Sequence, residues 1–254
     1  MKRPVLVIMA AGVGRRYGGP KQMDPVDEQG QILIDYSVFD ALSAGFREVI
    51  FVLKRGQEAE FKETVGARLS RFIKVSYVAQ ELNDLPEGFE VPNGRVKEWG
   101  TAHAVLSCIY ILNEAPFVVI NGDAYYDKRV LHLAYDYLVG QVDDDDKYHY
   151  AKANKGMLWA FTNSVLDELQ SRFPLFLEQA KKDPLQAEYL IRDVINELLQ
   201  EDKADVQLLD ADKSSDGITC QKDWLKICES IHEMQEKGLY PKSLWRNNKH
   251  IRTL

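Results

Sequence analysis

Short runs rich in Val, Ile and aromatic residues alternate along the chain with segments of helical period. "VLVIM" (5–9), "EVIFVL" (48–53), "IKVSYVAQ" (73–80) and "PFVVING" (116–122) have the length of strands. Apolar runs this short predict strands buried on both faces. Between them, "DYSVFDALSAG" (35–45), "EAEFKETVGARLSRF" (58–72) and "GTAHAVLSCIYIL" (100–112) read as helices, the first ended by Gly45. This β-α-β-α order predicts an α/β fold: a single mostly parallel sheet flanked by helices on both faces. Ligands of such sheets bind beyond the carboxyl ends of the strands. That rule puts the 10–22 loop, Gln80 and Asp123 on one rim.

The second half continues with a helix over about 128–139 and the charged stretch "QVDDDDKYHY" (141–150). Within it, the like-charge block "DDDDK" (143–147) reads as a solvated loop. An apolar run "GMLWAF" (156–161) follows, then helices near 163–181 and 186–200, a strand "ADVQLL" (204–209) and a helix over about 221–237. Neither an internal repeat nor an interdomain linker interrupts the pattern. The expectation is one domain over 1–254 with a helical C-terminal part. The closing "LYPKSLW" is suited to packing on its own core or on a second copy in a homo-oligomer.

Charge and cysteine content narrow the function classes. A net charge of −7 and a pI near 5.4 argue against a general nucleic-acid binder. Cys108, Cys220 and Cys228 fit neither a disulfide framework nor a metal-binding spacing, which points to a reducing compartment. The start "MKRPVLVIMAAGVG" looks like a secretion signal, but its apolar run is at the short limit and Arg15 and Arg16 follow at once. No segment has the length to span a bilayer. The expected location is therefore cytoplasmic.

The loop "MAAGVGRRYGGPKQ" (9–22) carries the chemistry. Gly12, Gly14 and Gly18 approach a dinucleotide fingerprint, which requires its glycines to open a helix. Pro20 and Pro25, with Gly18 and Gly19, break any regular helix there. What remains is a basic, glycine-rich loop, suited either to a polyphosphate or to a tight surface turn. Glycines let backbone N–H groups approach phosphate oxygens. Arg16 offers a bidentate fork and Lys21 a point charge.

Four segments in order resemble one family. Gly12, Gly14, Arg16, Pro20 and Lys21 resemble the signature of the sugar-phosphate nucleotidylyltransferases. "VAQELNDLPEGF…KEWGTAHAVL" (78–106) resembles that family's second segment, and "VVINGDAYY" (118–126) its third. "SSDGIT" (214–219) is more loosely similar to a late segment that carries a second aspartate. The resemblance covers nearly the whole chain and implies a Rossmann-like, GT-A-like nucleotidyltransferase fold. It also implies transfer of a nucleotidyl group from an NTP to a sugar 1-phosphate, with Mg²⁺ and release of pyrophosphate.

The resemblance assigns roles. The amides from Ala10 through Ala11 and Gly12 to Gly14 hold the nucleotide and its triphosphate. Arg16 binds the β- and γ-phosphates, and Lys21 sits near the α-phosphate. Gln80 reads the base, with a capping side chain as its alternative. Gly100 and Thr101 open a helix whose free amides reach the base or ribose, though a plain N-cap suits Thr101 nearly as well. Asp123 holds the metal; its alternative is a cap on the helix that follows. Asp216 is the second metal ligand, or part of a turn.

The acceptor half departs from the family. Relatives carry a longer stretch before the strand matching "GMLWAF", with another strand and an acceptor-binding glutamate. A shorter stretch around 141–155 fills that space here, with Asn154 and Lys155 near where an acceptor-binding asparagine falls. Residues 1–140 thus read as the nucleotide half and 150–254 as the acceptor half. Two alternatives stay open: a nucleotide-binding protein of the same fold without transfer activity, and a cytidylyltransferase for a non-sugar phosphate such as phosphocholine.

Overall fold

The computed structural model describes residues 2–11, 23–140, 147–153, 158–209 and 221–246. Its centre is β1 (Val5–Met9), parallel to β2 (Glu48–Lys54) on one side and to β4 (Phe117–Asn121) on the other. Leu6 pairs with Val49, and Val5 with Phe117. β3 (Lys74–Gln80) extends the sheet beyond β2, also in parallel. Beyond β4, β6 (Leu158–Phe161) runs antiparallel, β5 (Tyr148–Ala153) antiparallel to β6, and β7 (Ala204–Leu208) parallel to β5. The sheet has seven strands in the order β3-β2-β1-β4-β6-β5-β7. The α/β expectation of a mostly parallel sheet holds.

The helices are α1 (Leu33–Ala44), α2 (Glu58–Phe61), α3 (Ala67–Leu69), α4 (Thr101–Leu106), α5 (Ile109–Leu112), α6 (Lys128–Gly140), α7 (Val165–Ala180), α8 (Ile191–Gln200) and α9 (Gln221–Glu236). None of the described residues forms a helix long and apolar enough to cross a membrane.

Side chains of β1 alternate between two cores, as the pleat requires. Leu6 and Ile8 join Phe51, Val118 and residues of α1 and α6 on one face. Val5 and Val7 join Ile50, Val119 and residues of α4, α7 and α8 on the other. Gly45, at φ +116°, closes α1 as expected.

β5 begins at Tyr148, directly after the like-charge block 143–147. Two expectations need correction. The single helix over 58–72 is α2, a π-helical turn (Lys62–Gly66) and α3. A Cβ on Gly66 would meet the Tyr77 hydroxyl at 1.9 Å, so only glycine leaves room for that ring. The helix over 100–112 is split at Ser107 and Cys108 into α4 and α5.

The C-terminal segment packs on its own core. Tyr240 and Leu244 are buried with Leu33 and Tyr36 of α1 and Ile227 and Ile231 of α9. Two buried carboxylates of α1 hold it. Asp35 accepts from the Ile32 N–H (2.9 Å), from Arg68 through Nε (2.8 Å) and Nη2 (2.7 Å), and from Trp245 Nε1 (3.0 Å). Asp40 accepts from the Tyr240 hydroxyl, while its Oδ1 is buried without a partner.

Asp35→Ala strands the Arg68 guanidinium and two further donors, the Ile32 N–H and Trp245 Nε1. Because Arg68 keeps some access to water, the expected loss is about 3 kcal/mol, read as a lower urea midpoint at unchanged m. For Asp40, burial pushes the carboxyl up to about 7, against the opposing pull of Tyr240 and Lys128. Its folded pKa is raised above the unfolded value, so the folded state binds the extra proton. Stability is therefore expected to fall as pH rises from about 4 to about 7, with a slope near 1.4 kcal/mol per pH unit at most. Asp40→Asn removes that slope in urea titrations across the range.

Candidate active site

The carboxyl ends of β1 to β4 open into a cleft of about 660 Å³. Its floor comes from Met9, the last residue of β1, and Ala11 just after it, Val52 and Lys54 of β2, Gln80 of β3, and Asn121 at the end of β4 with Asp123 just past it. The opposite wall includes Glu98, Gly100 and Thr101, with Gln186 and Glu188 from the approach to α8. Ala11, Gln80, Gly100, Thr101 and Asp123, singled out in the sequence, thus share one cleft.

Ala10 stands apart. It is buried, does not line the cleft, and donates its amide to the Val52 carbonyl (2.9 Å). That N–H is engaged within the sheet, so Ala11 is the first residue after β1 to reach the cleft. The β1 and β4 ends are tied together where the Gly122 amide donates to the Met9 carbonyl (3.0 Å). Gly12, Gly14, Arg16 and Lys21 lie outside the described residues, as do Asn154, Lys155 and Asp216.

The wall is built around Gly100, the N-cap of α4, at φ +112°. A Cβ there would meet the Tyr189 backbone at 2.5 and 2.8 Å. Tyr189 sits this close because its carbonyl accepts from the Ala102 amide (3.0 Å). Thr101 does act as a cap, but for another helix: its Oγ1 accepts from the Ile191 amide at the start of α8 (3.1 Å). Arg95 bolts the two segments of the wall. It donates to the carbonyls of Pro184 (2.8 Å), Ala187 (2.7 Å) and Glu98 (3.1 Å) and lies 3.7 Å over the Trp99 ring. Trp99 in turn donates to the Leu82 carbonyl (2.8 Å).

Gln80 is buried at the end of β3. Its Nε2 donates to the Gly100 carbonyl (3.0 Å) and lies 3.2 Å from His103 Nδ1. Asp123 is part-buried, just past β4. The capping alternative for it falls to another residue: Asp127 Oδ1 accepts from the Arg129 amide (2.8 Å) at the start of α6.

Two ion pairs in the cleft escaped the sequence reading. Lys54 meets Glu98 at 3.0 Å, and Lys97 meets Glu188 at 3.0 Å. Lys54 had a signal, a charged residue closing an apolar strand at the ligand-binding end. Glu188 had none, because a loop far along the chain brings it there.

The donors suit a metal that arrives on phosphates. Mg²⁺ is usually held by one or two carboxylates plus phosphate oxygens rather than by an all-protein cage. Asp123 offers one carboxylate in the cleft, and among the described residues no three His, Cys, Asp or Glu side chains gather into a cage.

A family model described as "Nucleotidyl transferase" matches residues 5–151. No curated relative matches significantly. Among solved structures, the chain is similar to the inositol-1-phosphate CTP transferase from T. maritima, at 14% identity and a TM-score of 0.63, over 92% of this chain and 97% of that one. It is similar to a putative glucose-1-phosphate thymidylyltransferase from Bacillus anthracis, at 13% identity and a TM-score of 0.64, over 90% and 95%. It is also similar to a UDP-glucose pyrophosphorylase complexed with UDP-glucose, at 15% identity and a TM-score of 0.60, over 91% and 99%. At these identities the likeness is one of fold.

Gly100→Ala adds left-handed backbone strain to a clash with the Tyr189 backbone. The expected cost is about 2 kcal/mol, a drop of roughly 4–8 °C in the thermal midpoint. Ligand affinity should fall with it, since the wall must shift.

Proposed function

The chain belongs to the nucleotidyl transferase family, and on that premise we propose that it transfers a nucleotidyl group from an NTP to a sugar 1-phosphate. The observation that carries the reading is the shared cleft at the carboxyl ends of β1 to β4, which gathers Ala11, Gln80, Gly100, Thr101 and Asp123. In this reading the chain is one transferase domain.

An oxygen of the acceptor phosphate attacks the α-phosphorus in line. A new P–O bond forms, and the bond to the bridging oxygen breaks to release pyrophosphate. The protein contributes positioning and charge neutralisation rather than covalent chemistry. The Gln80 side chain and the free amides at Gly100 and Thr101 hold the base and ribose. In this reading Gly12, Gly14, Arg16 and Lys21, which follow Ala11 in the chain, bind the triphosphate. Arg16 neutralises the leaving pyrophosphate, and Lys21 the charge that builds at the α-phosphate. Asp123, with Asp216, holds Mg²⁺, which when bound offsets phosphate charge and aligns the oxygens.

The acceptor is the more open half. One structural neighbour is named for inositol 1-phosphate and another for glucose 1-phosphate. Both are phosphorylated polyols, so a panel of acceptors should span both kinds.

The test is pyrophosphate release with each NTP, Mg²⁺ and that panel, with choline phosphate included. Release with a sugar 1-phosphate supports the proposal. Release with choline phosphate alone, or NTP binding without release, sinks it. Asp123→Ala is expected to lower the rate at least about a hundredfold while the thermal midpoint stays near that of the parent protein. Undiminished release would remove Asp123 from the metal site.

A further inference from the structure

Two backbone carbonyls decide how the Gln80 carboxamide is oriented. A carbonyl oxygen can only accept, so the Gln80 atom 3.0 Å from the Gly100 carbonyl is its NH₂ group. By the same logic, His103 Nε2, 3.0 Å from the Asp84 carbonyl, carries a hydrogen. His103 is buried, with its ring 5.0 Å from that of Phe173. Burial lowers its pKa, with Arg95 acting in the same direction and Asp84 and Glu98 opposing. A neutral ring protonated at Nε2 has a bare Nδ1. That lone pair faces the second hydrogen of the Gln80 NH₂, at 3.2 Å. Both amide hydrogens are thereby engaged inside the protein. Oε1 is the polar atom that Gln80 has left for the cleft it lines.

We propose that His103 is a positioning residue for nucleotide recognition: it locks the Gln80 carboxamide with its oxygen toward the cleft, so that Gln80 accepts an N–H from a pyrimidine edge. The N3–H of uracil or thymine and the amino group of cytosine are such donors. The inference rests on the proposed reading that Gln80 meets the base. It adds that Gln80 works as an acceptor alone, and that a second, buried residue enforces this.

The lock has a pH signature. A protonated ring would turn Nδ1 into a donor and set it against the Gln80 NH₂. Gln80 must then give up one of its two internal contacts, and its oxygen leaves the accepting position. Nucleotide affinity falls on acidification for a reason that the phosphates do not share.

The experiment measures the Kd of UTP, dTTP, CTP, ATP and GTP with Mg²⁺ by calorimetry, from about pH 7.5 down to about pH 4.5, because burial moves His103 below the ordinary imidazole range. The parent protein is expected to favour a pyrimidine and to lose affinity towards acid pH. His103→Leu removes the acceptor and should weaken that nucleotide about tenfold at neutral pH. His103→Asn presents Oδ1 near the position of Nδ1 and cannot be protonated. It should restore most of the affinity and reduce the acid loss to the part common to all five nucleotides, whose terminal phosphates also titrate at about pH 6. Nitrogen-15 NMR of the unsubstituted protein, independent of any variant's folding, should show the neutral Nε2–H tautomer at neutral pH.

An Nδ1–H tautomer overturns the lock. So does unchanged affinity in a folded His103→Leu, or an acid loss in His103→Asn as large as that of the parent protein. Gln80→Ala separates the two levels of the argument. If it leaves nucleotide affinity intact, the base-binding reading itself fails. If it weakens binding while His103→Leu does not, only the role of His103 fails.

Discussion

Parallel pairing of β1 with β2 on one edge and with β4 on the other points the carboxyl ends of all three the same way. β3 follows, in parallel with β2. Each parallel step needs a long return to the opposite end of the sheet, supplied by helices and the loops around them. The loops that leave the carboxyl ends therefore meet at one rim, however far apart they lie in the chain. The cleft exists because of that constraint, and Gln80, Asp123 and Ala11 reach it by standing at the ends of strands rather than by any attraction to one another.

The remaining wall depends on part-buried polar contacts. Arg95 reaches three carbonyls and stacks on Trp99, joining the segment before α4 to the one before α8. Tyr189 presses on Gly100 so closely that no side chain fits. These contacts satisfy backbone carbonyls of both segments and hold the wall together. Asp35 in the first turn of α1 also satisfies buried donors, from Ile32, Arg68 and Trp245.

The nucleotide half was legible because its signals are local. "VLVIM", "VIFVL" (49–53) and "FVVI" (117–120) are apolar throughout, as a strand buried on both faces must be. Gln80 and Asp123 are polar residues placed directly after such runs, and "NGD" puts the carboxylate past a turn. The acceptor half was harder to read. β5 follows a run of acids, and its partners β6 and β7 lie on either side of it in space but after it in the chain. His103 sat on an expected helix with no sign that its ring would face Gln80.

The sequence by itself determined the α/β class, the strands that carry the ligand-binding rim, and the family to which the first half of the chain belongs. These follow from periodicity and from motifs of neighbouring residues, which need no knowledge of distant contacts. Only the tertiary structure decided which residues share the cleft from the far side, that Thr101 caps α8, that Asp127 rather than Asp123 caps α6, and that Gln80 turns its hydrogens inward. Each of these is a contact between groups far apart in the chain or a competition between near neighbours for one hydrogen bond. Geometry settles such contests, and sequence spacing does not encode it.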